Sequence, residues 1–418
     1  MTAPFLPARA PALGRSDVRL PRPARLRSDR LMPPDGRPRV AMSSYVRQLG
    51  SETQRHGLRR LHRSGSRNLR RPNPSWLRQA TPCAGIPPVA NPHVPMLEML
   101  WEAHDAHGAL EERFGFRDAV SAGRWVAVTV HEHWGIRIDS CERIVISDRN
   151  ALAWVTTPSG RLLAKWSVAA ERFPRLSQIA RLTHWLDRNG LPVSAAVQSV
   201  DGSLQVEVDN VSMCLQRVIQ GDFLNVDDAE QVQAAGAILA RFHHALAAYP
   251  DADQVVPRER RPKPLTARVT DWLHSAGEQV PRNGREALRE LVAEAPDDRR
   301  PTQLVHGDFR SSNVLCVGPK IAAVIDFEEA RFDHCIDELA RSAVMLGTRF
   351  RDWGPVSAEV RAMFLSGYQS VRPLTPAEAS WWDILVLWYS FALVPPGDDP
   401  TGWGPSALSH LAELAPEA

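Results

Sequence analysis

The sequence predicts an α+β protein of two lobes, a small β-rich one followed by a mostly helical one. Three observations carry that expectation. Residues 142–166 hold three strand-like runs, Glu142–Ile146, Ala151–Thr157 and Arg161–Trp166, and Pro158-Ser159-Gly160 closes the last two into a hairpin. From Ala229 the apolar spacing becomes helical, with Val232, Ala235, Leu239, Phe242 and Leu246 on one face. Finally, Leu304 to Ala330 reads LVHGDFRSSNVLCVGPKIAAVIDFEEA, in which carboxylates and an amide follow two short apolar strands, Gln303–Val305 and Ile321–Ile325.

Residues 1–95 are unlike the rest. They hold fifteen of the 34 prolines and eighteen arginines against four acids, with no lysine and no apolar periodicity. Such a segment buries too little apolar surface to offset its ordering entropy, so a disordered basic leader is expected. It reads as a basic arm, a targeting peptide or, the preferred reading, a region upstream of a true start near Met96 or Met99. Its clustered arginines would suit a nucleic-acid-binding arm, but no interleaved aromatics support specific RNA or DNA contact. No run of eighteen apolar residues occurs, so no membrane span is expected. Five cysteines lack metal-binding or disulfide spacing, and the expected compartment is the cytoplasm.

The elements then follow in order. Met99, Leu100, Ala103, Ala106, Leu110 and Phe114 fit one amphipathic helix of about five turns. Arg124–Ile136 reads as a strand or a helix. After the three strand runs, Leu176, Ile179, Leu182 and Leu186 mark a helix over Phe173–Leu186. Gln205–Val208 and Met213–Ile219 are strand-like and lead to Gly221, where the small lobe (96–220) is expected to give way to the large one (221–418). Two further helices are expected around Leu265–Ala276 and Arg285–Ala293. His243 and His244 are adjacent on the long helix and cannot form an i, i+4 metal pair, so both read as structural.

The stretch from Leu304 carries the chemistry. His306-Gly307-Asp308 is separated from Asn313 by four residues, and an apolar strand then delivers Asp326-Phe327. Protein kinases set a catalytic aspartate and a metal-binding asparagine on one loop at this spacing, and follow it with a second metal-binding aspartate. Phosphoryl transfer asks for these groups: a carboxylate to orient the attacking hydroxyl, and oxygen ligands to hold Mg²⁺ against the triphosphate. HGDFRSSNVL with IDFEEA resembles the aminoglycoside phosphotransferase family, kinase-like enzymes that include choline and homoserine kinase relatives. The resemblance implies a bilobal protein-kinase-like fold and Mg²⁺-dependent transfer of the γ-phosphoryl group of ATP or GTP to a hydroxyl of a small molecule.

It also implies roles. Asp308 would face the acceptor hydroxyl, Asn313 and Asp326 would hold Mg²⁺, and His306 would brace the loop. Lys165, one of only three lysines in the chain, would reach the donor phosphates from its strand. Ser147 and Asn150 would stand in for a glycine-rich phosphate loop, which is missing here. Main-chain groups of about Gln216 to Val218 would meet the purine. The glutamate that usually pairs with the strand lysine is replaced by Gln178 or Ile179, leaving Glu171 as the candidate partner. Asp337 would cap a helix and brace the catalytic loop, and Arg310 would contact phosphate or solvent.

The acceptor has no motif. From Phe327 onward thirteen acids face six arginines, which would favour a cationic acceptor. Trp381, Trp382, Trp388, Tyr389 and Trp403 could offer aromatic faces, though most fit the core. Another metabolite kinase (homoserine, choline or a sugar) and a nucleotide-binding protein without transfer activity are the alternatives.

Overall fold

The structure, a computed structural model, describes residues 94–100, 105–256, 261–297, 301–350 and 352–414. The expected disordered leader therefore falls outside the described residues, apart from Val94 and Pro95.

A six-stranded sheet comes first. Its strands are β1 (Met96–Met99), β2 (Ser140–Ile146), β3 (Asn150–Thr157), β4 (Gly160–Ser167), β5 (Val206–Val208) and β6 (Val211–Arg217), in the order β1-β2-β3-β4-β6-β5. Here the start of the helix expected from Met99 is corrected, while residues 101–104 of that expectation lie outside the described residues. Met96–Met99 is a strand that pairs in parallel with Arg143–Ile146, and Glu98 forms an ion pair with Arg143 across the pairing. Tertiary pairing satisfies these backbone groups, which a helical period alone could not foresee.

Helix α1 is shorter, Ala106–Phe114, started by the Asp105 cap and ended by Gly115 in the left-handed region. The ambiguous stretch before Ile136 is helix α2 (Ala119–Trp134), opened by a reciprocal Asp118–Ser121 capping box and closed at Gly135. Both helices share one core with the sheet, including Leu110, Val126, Ile144, Ala153, Ala164 and Trp166. Side chains alternate across a strand. Because Ala164 and Trp166 enter this core, Lys165 between them faces the other way.

A second, larger core gathers the helices. These are α3 (Phe173–Arg188), α4 (Ala229–Ala247), α5 (Leu265–Ser275), α6 (Arg282–Ala293), α7 (Cys335–Met345), α8 (Ala358–Gln369), α9 (Pro376–Ala392) and α10 (Trp403–Leu414). Trp381, Trp388, Tyr389 and Trp403 are buried in it rather than displayed. Helices α4 and α8 cross at two glycines: a Cβ on Gly236 would lie 2.0 Å from the Phe364 carbonyl oxygen, and one on Gly367 would lie 2.0 Å from that of Gln233. Such an approach brings a long run of apolar surface from both helices out of water. Among the described residues no helix is long and apolar enough to cross a membrane.

Short strands then frame the motif stretch. Strand β7 (Asp222–Phe223) joins the hairpin β9 (Val314–Val317) and β10 (Lys320–Val324), while β8 (Gln303–Val305) pairs antiparallel with β11 (Arg331–Asp333). The register Val305↔Arg331 brings the segment after Asp326 back alongside the loop that begins at His306.

Candidate active site

The loop 306–313 is held by its own polar groups. The Asp308 amide donates to His306 Nδ1 at 3.2 Å, so the other ring nitrogen, Nε2, carries the proton and donates to the Ile325 carbonyl at 3.0 Å. His306 thereby ties the loop to the residue before Asp326. Asn313 Nδ2 donates to the Asp308 carbonyl oxygen at 2.8 Å and to its Oδ2 at 3.0 Å. With both N–H bonds spent there, Oδ1 of Asn313 has no donor among the described residues. Arg310 Nε lies 3.1 Å from each carboxylate oxygen of Asp308. Arg310 is a buried side chain that orients Asp308, a role its place on a loop did not reveal.

Asp326 sits in the left-handed region at φ 65°, uncommon for a residue with a Cβ. Phe327 is buried against His306, with ring centroids 4.4 Å apart, and this packing holds the turn. The Asp326 carboxylate, about half exposed, meets Lys165 Nζ at 3.3 Å through Oδ1. Glu328 Oε1 lies closer to the same ammonium, at 2.5 Å. Burial opposes the charge on Lys165, but the Asp326 and Glu328 carboxylates more than offset that and hold it firmly protonated, well above the usual lysine range.

The expected partner Glu171 is corrected here. Its carboxylate is largely exposed and forms its ion pair with Arg149. It lies within a 3₁₀ turn, Ala170–Arg172, that precedes α3, and points to solvent. Sequence spacing had no way to nominate Glu328, since its partner lies far back in the chain.

The remaining predicted residues divide. Asn150 lines the cleft with Lys165, Gln216, Asp326 and Glu328, and its Nδ2 reaches Glu328 Oε2 at 3.3 Å. Ser147 closes the β2–β3 turn instead, its hydroxyl donating to the Asn150 carbonyl at 3.0 Å. Val218 does not line that cleft; its amide donates to the Arg161 carbonyl at 3.2 Å, extending the β4–β6 ladder. With that bond made, Val218 has no N–H to offer a purine.

The brace expected for the 306–313 loop is also corrected. Glu338, and not Asp337, reaches it: Oε2 accepts the His306 amide at 3.1 Å and Oε1 accepts the Gly307 amide. Gly307 has φ 86°, and a Cβ there would lie 2.1 Å from the Glu329 carbonyl oxygen, so only glycine fits. Its own carbonyl accepts from Arg331 Nη1 at 2.8 Å and from Arg341. Behind Glu338, His243 Nε2 lies 2.9 Å from Oε2 and Nδ1 lies 2.7 Å from the Tyr368 hydroxyl. His243 is thus structural, while His244 is exposed.

Asp337 faces another buried cluster. It accepts from the Tyr389 hydroxyl at 3.0 Å and pairs with Arg268 at 3.1 Å, and Arg268 also meets Asp333 at 2.8 Å. Burial, with Asp333 close by, raises the Asp337 carboxyl above the usual range. The acidic surplus of this region is therefore spent partly inside: Glu328, Asp333, Asp337, Glu338 and Glu378 are all buried and paired.

Oxygen donors suit a hard divalent cation. Asn313 Oδ1 and the Asp326 oxygen not used by Lys165 are such donors, and the amide of Ile325, next to Asp326, donates to the Asn313 carbonyl at 2.9 Å. No cluster of three or more His, Cys, Asp or Glu side chains able to hold a metal exists among the described residues.

The sequence profile of the phosphotransferase enzyme family matches residues 146–382, more than half the chain. The chain is 26% identical to a homoserine kinase of Neisseria meningitidis over 239 residues, covering 56% of this chain and 74% of that protein. It is 27% identical to a homoserine kinase of Methylobacillus flagellatus over 242 residues, covering 56% and 71%. Among solved structures, a macrolide 2'-phosphotransferase from Brachybacterium faecium superposes with a TM-score of 0.48 at 14% identity, covering 71% of this chain and 98% of that one.

Proposed function

The chain belongs to the phosphotransferase enzyme family, small-molecule kinases with a hydroxyl acceptor, and from that premise we propose the residues and partners of its reaction. The donor is ATP or GTP, and the lobes divide near Gly221. Lys165 binds the donor phosphates from the sheet. Asp308, oriented by Arg310 and Asn313, accepts a hydrogen bond from the acceptor hydroxyl and takes its proton late in the transfer. The hydroxyl oxygen bonds to the γ-phosphorus as the bridging oxygen departs with the nucleoside diphosphate. Asn313 and Asp326 hold Mg²⁺, which when bound neutralises phosphate charge.

One observation carries the reading. His306 and the β8–β11 pairing join the Asp308 loop to the Asp326 turn, and Lys165 of the sheet reaches that turn from the opposite lobe. Two segments far apart in sequence, the strand of Lys165 and the stretch from His306 to Glu328, thus carry the groups that phosphoryl transfer requires.

The acceptor is a small hydroxylated molecule. Homoserine is the first to try, because relatives of this chain include homoserine kinases, followed by aminoglycosides. A cationic acceptor draws less support from charge once the buried acids are discounted. The test is product detection by mass spectrometry with Mg²⁺, ATP or GTP and each acceptor, using Asp308→Asn as control. A product heavier by one phosphoryl group, absent with the variant, supports the reading. A folded protein that binds no nucleotide overturns it.

A further inference from the structure

We propose that Glu328 is the carboxylate that positions Lys165 for the donor phosphates, replacing a glutamate on helix α3. The proposal rests on the nucleotide-binding reading above and adds a positioning residue to it.

Kinases orient the strand lysine with a helix glutamate. Helix α3 offers none: where it meets the cleft it presents Leu176, Ile179, Ala180 and Thr183, and its single acid, Asp187, lies in the last turn. The charge is inverted instead. At the start of α3 stand two cations, Arg172 and Arg175, and the segment after Asp326 supplies the anion. Arg172 Nη2 meets Glu328 Oε2 at 3.1 Å. Arg175 Nε and Nη2 donate to the Glu328 carbonyl oxygen at 3.0 and 2.7 Å, fixing the backbone from which the carboxylate projects.

The geometry favours Glu328 over Asp326 as the standing partner. Glu328 is 11% exposed and 2.5 Å from Nζ, whereas Asp326 is 47% exposed and 3.3 Å away. A pair shielded from water is the stronger tether. When phosphates arrive, Asp326 is free to leave Lys165 while Glu328, clamped by Arg172, Arg175 and Asn150, keeps the ammonium in place. Coupling between α3 and the turn is preserved with the charges exchanged.

The experiment is a binding titration with a non-hydrolysable ATP analogue and its GTP counterpart, paired with steady-state kinetics and a thermal melt. Wild type, Glu328→Gln, Glu171→Gln and the double variant Ile179→Glu/Glu328→Gln are compared. Loss of one charge-assisted contact should weaken Glu328→Gln binding by about tenfold or more and raise the nucleotide KM, leaving the acceptor KM unmoved. Relocating the carboxylate to α3 at Ile179 should restore part of that loss, which a merely structural role would not do. Undiminished binding by Glu328→Gln overturns the proposal, as does weaker binding by Glu171→Gln alone. A melt and an acceptor KM that shift together with nucleotide binding in Glu328→Gln, without rescue, also overturn it. A wild type that binds neither nucleotide overturns the functional reading itself, an outcome distinct from these.

Discussion

Glu338 Oε2 stands 3.1 Å from the amide nitrogen of His306, thirty-two residues earlier in the chain. The same carboxylate accepts the Gly307 amide, so one buried side chain on α7 sets the backbone entering the catalytic loop. Glu338→Ala would leave two buried N–H groups and His243 without their acceptor. Breaking such a buried arrangement costs about 3–5 kcal/mol, readable by denaturant unfolding. A cost near zero would show that Arg331 and Arg341 hold the loop without it.

The pH dependence of this brace has two edges. Burial works against the imidazolium of His243, but Cys335, Tyr368 and the Glu338 carboxylate raise it well above its ordinary 6.5. Its contribution is complete below that value and is lost as pH rises through the raised one. Burial likewise works against charge on Glu338, and its bond to His243 with the Gly307 amide brings it below its ordinary 4.5. Its contribution is complete above 4.5 and is lost as pH falls through the lowered value. Stability should therefore plateau between the two edges. In His243→Gln the alkaline edge should disappear; an unchanged pH profile would assign that edge elsewhere.

Asp308→Asn retains the size of the side chain but cannot take a proton. Its kcat should fall by about 10²–10⁴-fold, with the nucleotide dissociation constant changed little. Single-turnover transfer beside a nucleotide titration separates the two.

Asn313→Ala and Asp326→Asn remove the oxygen donors assigned to Mg²⁺. Disturbing even outer-sphere partners of a metal costs about 10–100-fold in affinity, so half-saturating Mg²⁺ should rise by at least about tenfold. An unaltered Mg²⁺ titration in both variants would remove these residues from the metal site.

The α4–α8 crossing gives a prediction remote from the chemistry. Gly236→Ala sets a methyl group against the Phe364 carbonyl, 2.0 Å away, so the helices must separate. Overpacking of this kind costs about 1–3 kcal/mol, seen as a lower melting temperature. The nucleotide dissociation constant should stay as it was.

Local signals in the chain nominated the residues proposed for the chemistry. The spacing of Asp308, Asn313 and Asp326, and the rarity that drew attention to Lys165, needed no three-dimensional information. Strands β2, β3 and β4 and helices α3 and α4 were legible because alternation, turn residues and apolar stripes are properties of neighbouring residues. Met99, expected in a helix, ends a strand whose character comes from partners at Arg143–Ile146, not from its own pattern. Arg310 looked like a surface loop residue until folding placed it on Asp308.

By itself, then, the sequence determined the reaction class, for phosphoryl transfer demands certain side chains at short, fixed spacings on a loop and a strand end. Tertiary structure alone decided which groups support them. Lys165 is met by Glu328 rather than Glu171, and the catalytic loop by Glu338 rather than Asp337. At Asp337 and Glu338 the two acids are adjacent and chemically alike, and only the direction each takes from a buried helix tells them apart. That direction is set by packing around the whole of α7, which no local pattern in the chain encodes.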